Sequence, residues 1–178
     1  MNLRTYLDAD WDRLQAISSN APQPRRWLSA MHPRFAPVTV LRYAQCLHAA
    51  GWTRLAKLFS LLNVVIFGIE VPAKLSIGPG LIITHANGIV LGPARIGCNA
   101  TIYQQVTLGA LEADFFDPTS RPIIEDNVIL AAGAKVLGPI TVGSGCVIGA
   151  NAVVLDDVPP NHLAVGVPAR MTPRKSNR

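Results

Sequence analysis

The chain reads as a mainly β protein, a parallel β-helix of hexapeptide repeats with an α-helical segment in front of it. Three observations predict this. From Ile124 onward every sixth residue is a branched apolar one: Ile124, Leu130, Val136, Val142, Ile148 and Val154. Four residues after each stands another apolar and mostly small residue: Val128, Ala134, Ile140, Cys146, Ala152 and Val158. Gly or a polar residue fills most positions between them, whereas before residue 68 the apolar spacing is helical.

A period of six matches neither the 3.6 of a helix nor a simple strand alternation over this length. It fits short strands joined by tight turns, each face sending one large apolar side chain into a narrow prism. Gly, Asn and Asp suit the turns because the backbone angles there are costly for other residues. Three hexads make one triangular coil, and roughly four to five coils stack about 4.8 Å apart. The same period recurs upstream at Val71, Ile77 and Ile83, then at Ile96, Ile102 and Leu108. Between Ile83 and Ile96 the spacing is thirteen rather than twelve, and the extra residue is expected beside His85.

Taken in order, residues 1–68 form the helical segment. Val40, Leu41, Ala44, Leu47 and His48, then Leu55, Leu58, Phe59 and Leu62, recur at helical spacing. Pro37 can begin the second helix and Gly51 ends it. Residues 69–168 are the β-helix, interrupted at 110–122 by an apolar, acidic and Pro-containing stretch. That stretch is expected to be a loop excursion from one corner, and long loops on regular scaffolds often carry function. Residues 169–178 read as a basic tail, where Arg170, Arg174, Lys175 and Arg178 fall close together. A solvated terminus is the plain reading of that charge, and attraction of a polyanionic ligand the sharper one.

Composition excludes several classes. The 178 residues are 49% apolar, 15% charged and 6% aromatic, which suits a core of Val, Ile, Leu and Ala. Residues 1–17 are polar and mixed in charge, so no secretory signal is read there. The longest apolar run, residues 58–69, is interrupted by Ser60, Asn63 and Gly68 and is shorter than the roughly 20 residues a bilayer needs. Cys46, Cys98 and Cys146 form no C-x-x-C pair and read as reduced thiols in a cytoplasmic protein. The net charge of +5 lacks the basic–aromatic interleaving of a nucleic-acid binder.

GSGCVIG lacks the spacing and the following helix of a dinucleotide loop, and the hexads already account for its glycines. There is no G-x-S-x-G elbow and no P-loop. A β-helix zinc site would need three converging histidines; this part of the chain offers His85, with His162 near its end. What stands out is His85, alone where the repeat slips. An imidazole, with an ordinary pKa of about 6.5, can take a proton near neutral pH. Glu70, fifteen residues earlier, is expected one coil below it, where a carboxylate would hold the ring in its productive tautomer. The plain alternative is a polar residue at a turn.

GPGLIITHANGIVLG, TIYQQVTLG, AAGAKVLGPITVG, IGANAVVLDDVP and AVGVPAR together resemble the serine acetyltransferases of the hexapeptide-repeat class. The likeness covers nearly all of residues 67–170 and extends weakly into the helices through Phe35, Arg42 and Gly51. It implies a left-handed β-helix and an acetyl-CoA-dependent O-acetyltransferase that needs no metal. It also implies a homotrimer, or a dimer of trimers, with active sites between neighbouring subunits. By the same likeness His85 is the catalytic base, Glu70 stands where the family's Asp orients it, and Gly109 contributes near the developing oxyanion. The second glycine of that pair is Ala110. Ala132, Gly133 and Ala150 match the coil edges that hold pantetheine, and Arg170 the nucleotide end.

The departures lie on the acceptor side. Thr84 stands where the family has Asp, Pro72 where it has a His, and Ser120-Arg121 where it has Arg-His. Thr84 and Arg121 are the positions expected to meet the acceptor, and Arg121 can hold a carboxylate. Serine is the acceptor the family implies, for cysteine biosynthesis. A sugar or polysaccharide-precursor hydroxyl is the alternative suggested by the missing charged partners and the short helical part. A non-catalytic β-helix scaffold is the rival from another class. The family's usual sulfhydrylase partner binds a tail ending in Ile, and KSNR departs from it.

Overall fold

The computed structural model describes residues 2–18, 21, 23–111 and 117–174. Helix α1 (Leu3–Ser18) is followed by a 3₁₀ turn (Trp27–Met31), α2 (Ala36–Ala49) and α3 (Thr53–Phe67). α1 buries Leu7, Trp11 and Leu14 on one face, and Trp11 meets Phe35 edge-on at 5.1 Å between ring centroids. Pro37 lies in the first turn of α2, where its missing N–H removes no helical bond. α3 stops at Gly68, whose left-handed φ of 66° ends the helix and turns the chain into the first coil.

Three sheets follow. The first holds β1 (Ile69–Glu70), β4 (Ile89–Leu91), β7 (Thr107–Gly109), β10 (Lys135–Leu137) and β13 (Val153–Val154). The second holds β2 (Ser76–Ile77), β5 (Arg95–Ile96), β8 (Ile123–Ile124) and β11 (Thr141–Val142). The third holds β3 (Ile82–Ile83), β6 (Thr101–Ile102), β9 (Ile129–Leu130), β12 (Val147–Ile148), β14 (His162–Val165) and β15 (Arg170–Pro173). Neighbours pair parallel, except that β15 turns back antiparallel on β14. The start of the segment read as a basic tail is therefore an ordered strand, while residues 175–178 lie outside the described residues.

The predicted hexad residues stack in columns. Ile83, Ile102, Leu130 and Ile148 lie over one another in the third sheet, and Leu91, Leu108, Val136 and Val154 in the first. All are fully buried, and each such side chain contributes about 1.5–3 kcal/mol by leaving water. Coils approach so closely that a Cβ on Gly97 would lie 2.7 Å from the carbonyl carbon of Glu125.

The slip in the repeat differs from the expected single extra residue. In the lower coil the chain takes seven steps from Ile83 to Val90; in the coil above it takes five from Ile102 to Thr107, between the same pairs of partners. Two residues are thus extruded at the corner between the third and first sheets. The next corner is short, with only five steps from Leu91 to Ile96. The hexad count sees only the sum of these two irregularities.

The helices close the lower end of the prism through a buried ionic network. Arg42, fully buried, pairs with buried Asp10 at 2.8 Å and donates to the main-chain oxygens of Ile77 and Gly78 at 2.7 and 2.6 Å. Asp10 accepts the Leu81 amide at 2.7 Å, and Gln45 donates to the Leu75 oxygen at 2.6 Å. Arg13 donates to the oxygens of Gly80 and Ala100. The Tyr6 ring covers the Arg42 guanidinium. Burial pushes the Asp10 carboxyl above its ordinary value, against the opposing pull of Arg42 and the Leu81 amide.

Candidate active site

His85 lies on the extruded corner. Thr84 still follows the ladder, its amide donating to the Ile102 oxygen at 3.0 Å, and its hydroxyl donates to the same oxygen at 3.2 Å. The ladder resumes at Asn87, whose oxygen accepts the Gln105 amide at 2.9 Å. His85 and Ala86 are the two residues between, and His85 is exposed. Among the described residues its ring forms no hydrogen bond or ion pair. Its ring neighbour is Tyr103, at 6.5 Å between centroids and tilted by 50°.

Glu70 is not beneath His85. It pairs in register with Val90, out on the face of the first sheet, and is exposed. The fifteen-residue spacing misleads because the extruded corner lengthens this coil, so that Glu70 meets Val90 in the next one and not His85. No hydrogen bond or ion pair joins Glu70 to His85 among the described residues.

The other candidates divide between the two edges of that face. Above the His85 corner, Ala132, Gly133 and Ala150 form the same edge in the next coils, where the Gly133 amide donates to the Gln104 oxygen and the Asn151 amide to the Ala132 oxygen. With Ala131 and Gly149 they make a strip of small residues. Lys135 fastens this strip from the side: its Nζ donates to the oxygens of Gln105 and Gly133 at 2.8 and 3.0 Å. Nothing in the repeat pattern singles out that lysine, because its role is to reach sideways between coils.

At the opposite edge lie Gly109, at the end of β7, and Arg121, at the return of the loop. Arg121 donates from Nη1 to the Gly92 oxygen at 2.7 Å. The Gly109 oxygen accepts the Gly138 amide at 3.0 Å. Much of the excursion expected at 110–122, residues 112–116, lies outside the described residues; Asp117 caps a 3₁₀ turn (Pro118–Ser120) before the chain re-enters the prism. From Asn87 to Gly92 is five strand steps, on the order of 15 Å. One chain therefore keeps His85 on one edge, and Gly109 and Arg121 on the other. Arg170 is exposed in β15, paired with Val165.

Cys46, Cys98 and Cys146 are all free thiols, and burial pushes the Cys98 and Cys146 thiols above their ordinary range. Among the described residues no group of three His, Cys, Asp or Glu side chains is arranged to hold a metal ion, and no helix is long and apolar enough to cross a membrane.

The arrangement can be set beside known proteins. Residues 121–156 match the family model for the bacterial transferase hexapeptide (six repeats). The chain is 36% identical to the serine acetyltransferase of Helicobacter pylori over 166 residues, covering 92% of this chain and 96% of that protein. It superposes on the serine acetyltransferase of Neisseria gonorrhoeae with a TM-score of 0.86 and 30% identity, covering 99% of this chain and 68% of that one. A serine acetyltransferase solved in complex with CoA gives 0.80 and 30%, covering 96% and 69%. The prism is the left-handed parallel β-helix of these enzymes, and the chain belongs to the serine acetyltransferase family.

Proposed function

We propose that the protein transfers an acetyl group from acetyl-CoA, its co-substrate, to the hydroxyl of L-serine. The observation that carries this reading is the extruded corner: in a chain of this family, the side chain thrown clear of the coil there is an imidazole, at the foot of a strip of Ala and Gly. His85 takes the proton from the acceptor hydroxyl while the oxygen attacks the thioester carbonyl. A C–O bond forms and the C–S bond breaks. The proton held on His85 passes to the departing thiolate, leaving an O-acetyl ester and the CoA thiol.

The pantetheine arm runs along the edge formed by Ala132, Gly133 and Ala150, and Arg170 serves its nucleotide end. The Gly109 amide faces the developing oxyanion, an interaction worth roughly 10²–10³ in rate. Thr84 and Arg121 meet the acceptor. Because base and oxyanion donor stand on opposite edges of one face, a complete site draws its edges from two copies. A homotrimer built on that face, alone or paired with another, supplies three such sites. The assembly works in the cytoplasm.

A second reading, a neutral sugar hydroxyl as acceptor, is favoured by Thr84, which is uncharged and whose hydroxyl already donates to the Ile102 oxygen. Release of CoA thiol measured with L-serine and with sugar acceptors separates the two. The expected result is serine-dependent release, with His85→Ala lowering kcat by about 10²–10⁴-fold at an unchanged melting temperature. Release that responds only to sugars moves the assignment to the second reading. Full turnover in the His85 variant removes the base.

A further inference from the structure

We infer that Tyr103 is a positioning residue for the reaction, holding the His85 imidazole in its working orientation by ring packing. The inference rests on His85 being the base. Its first support is the backbone: the two-residue extrusion takes His85 out of the hydrogen-bond ladder, which holds Thr84 on one side and Asn87 on the other. Its second is the ring, which is exposed and has no hydrogen-bonding partner among the described residues. Whatever restricts it within one chain must come from packing.

Tyr103 supplies that packing. It follows Ile102, which lies directly over Ile83, so it stands one coil above Thr84 and beside the extrusion. The coil beneath it is irregular, but its own is locked: the Tyr103 amide donates to the Leu130 oxygen, and the Gln104 oxygen accepts the Gly133 amide. The ring is half-buried and lies 6.5 Å from the imidazole.

The column above strengthens the point. In the next two coils the positions matching Tyr103 are Ala131 and Gly149, which follow Leu130 and Ile148 in the same register. A large ring occurs only in the coil next to His85, and small residues continue from there along the strip. Tyr103 is thus the step between the base and the track proposed for pantetheine. A ring there limits the imidazole to orientations facing that track, and it excludes water from one side of it.

Steady-state kinetics of Tyr103→Ala, Tyr103→Leu and Tyr103→Phe, with pH profiles, test this. A misplaced base of about 1 Å costs on the order of 10²-fold, so Tyr103→Ala should lower kcat by roughly 10- to 100-fold with much smaller changes in either KM. Tyr103→Phe keeps the ring and should restore kcat to within about threefold. In a His85→Ala background, Tyr103→Ala should cause no further loss. If Tyr103→Ala shows no CoA-induced rise in melting temperature under conditions where the wild type gives one, Tyr103→Leu carries the same comparison. A kcat for the Ala and Leu variants within threefold of wild type, or a Phe variant as impaired as the Ala one, overturns the inference. A fully active His85→Ala variant would instead remove the reading beneath it, whatever Tyr103 does.

Discussion

The upper coils and the lowest coil are built from the same repeat, but they differ in how they depart from it. From Ile124 to Val154 the hexads are uninterrupted, the inward side chains are fully buried and the corners are short. Where the lowest coil passes into the second the corners are irregular in both directions, and the underside of the lowest coil is held by Arg42, Gln45 and Arg13 rather than by another strand. The upper coils require only packing and turn residues. The lowest coil must also receive the helices and aim a side chain outward, and each task leaves its own mark on the spacing.

The largest expected difference between the regions lies in the ionic seam. Arg42→Ala would leave the Asp10 carboxylate buried without its partner, which should cost about 3–5 kcal/mol of unfolding free energy in urea titrations. Joint replacement of Arg42 and Asp10 by apolar residues of similar volume should recover much of that loss. If the single variant lost less than about 1 kcal/mol, the helices would be held on by apolar contacts alone.

Coil spacing gives a smaller contrast. Gly97→Ala places a methyl against the main chain of Glu125 and Asp126, and should cost about 1–3 kcal/mol. Gly109→Ala meets nothing within 4 Å, so its stability should stay within about 0.5 kcal/mol of wild type. The same thermal melts report on both. Equal losses would mean that the coils are not in close contact at Gly97.

The smallest effect concerns pH. Burial raises the Asp10 carboxyl above its ordinary value of 3.8, so the folded chain holds that proton more tightly than the unfolded one. Its contribution is most favourable below 3.8 and declines as pH rises from there to the folded value, staying flat above. Asp10→Asn should remove that slope from the stability-versus-pH curve. A slope of the opposite sign would mean that Arg42 outweighs burial.

How much of this was legible in the sequence follows from the range of each interaction. Ile124, Leu130 and Val136 are visible because each repeats a local environment, and the breaks at Gly51 and Gly68 because they are local turn chemistry. The extruded corner was seen as one residue too many, since a surplus of two and a deficit of one leave a single extra residue in the count. Glu70 was placed by assuming a regular coil just where the coil is not regular. Arg42 stood out only through likeness to a family; its partners are Asp10, 32 residues away, and main-chain oxygens that carry no sequence signal. Tyr103 drew no attention because its role depends on what lies in the coils above and below it. The stripe of α3 was read correctly as apolar, yet Leu58, Leu61 and Val65 are exposed in the single chain, where α3 buries Ala56 and Asn63.

The two ends of the prism carry a consequence for how the molecule coexists with its own copies. Each coil offers the next a row of unpaired amides and carbonyls, so a bare stack of hexads has no inherent length and every end is a template for another chain. At the lower end the carbonyls of Leu75, Ile77 and Gly78 are already claimed by Gln45 and Arg42. At the upper end β15 reverses direction over β14, presenting an antiparallel edge that a further parallel coil does not match. Guanidinium groups at the bottom and a reversed strand at the top are terminators: they make a discrete particle out of an architecture that would otherwise grow into a filament.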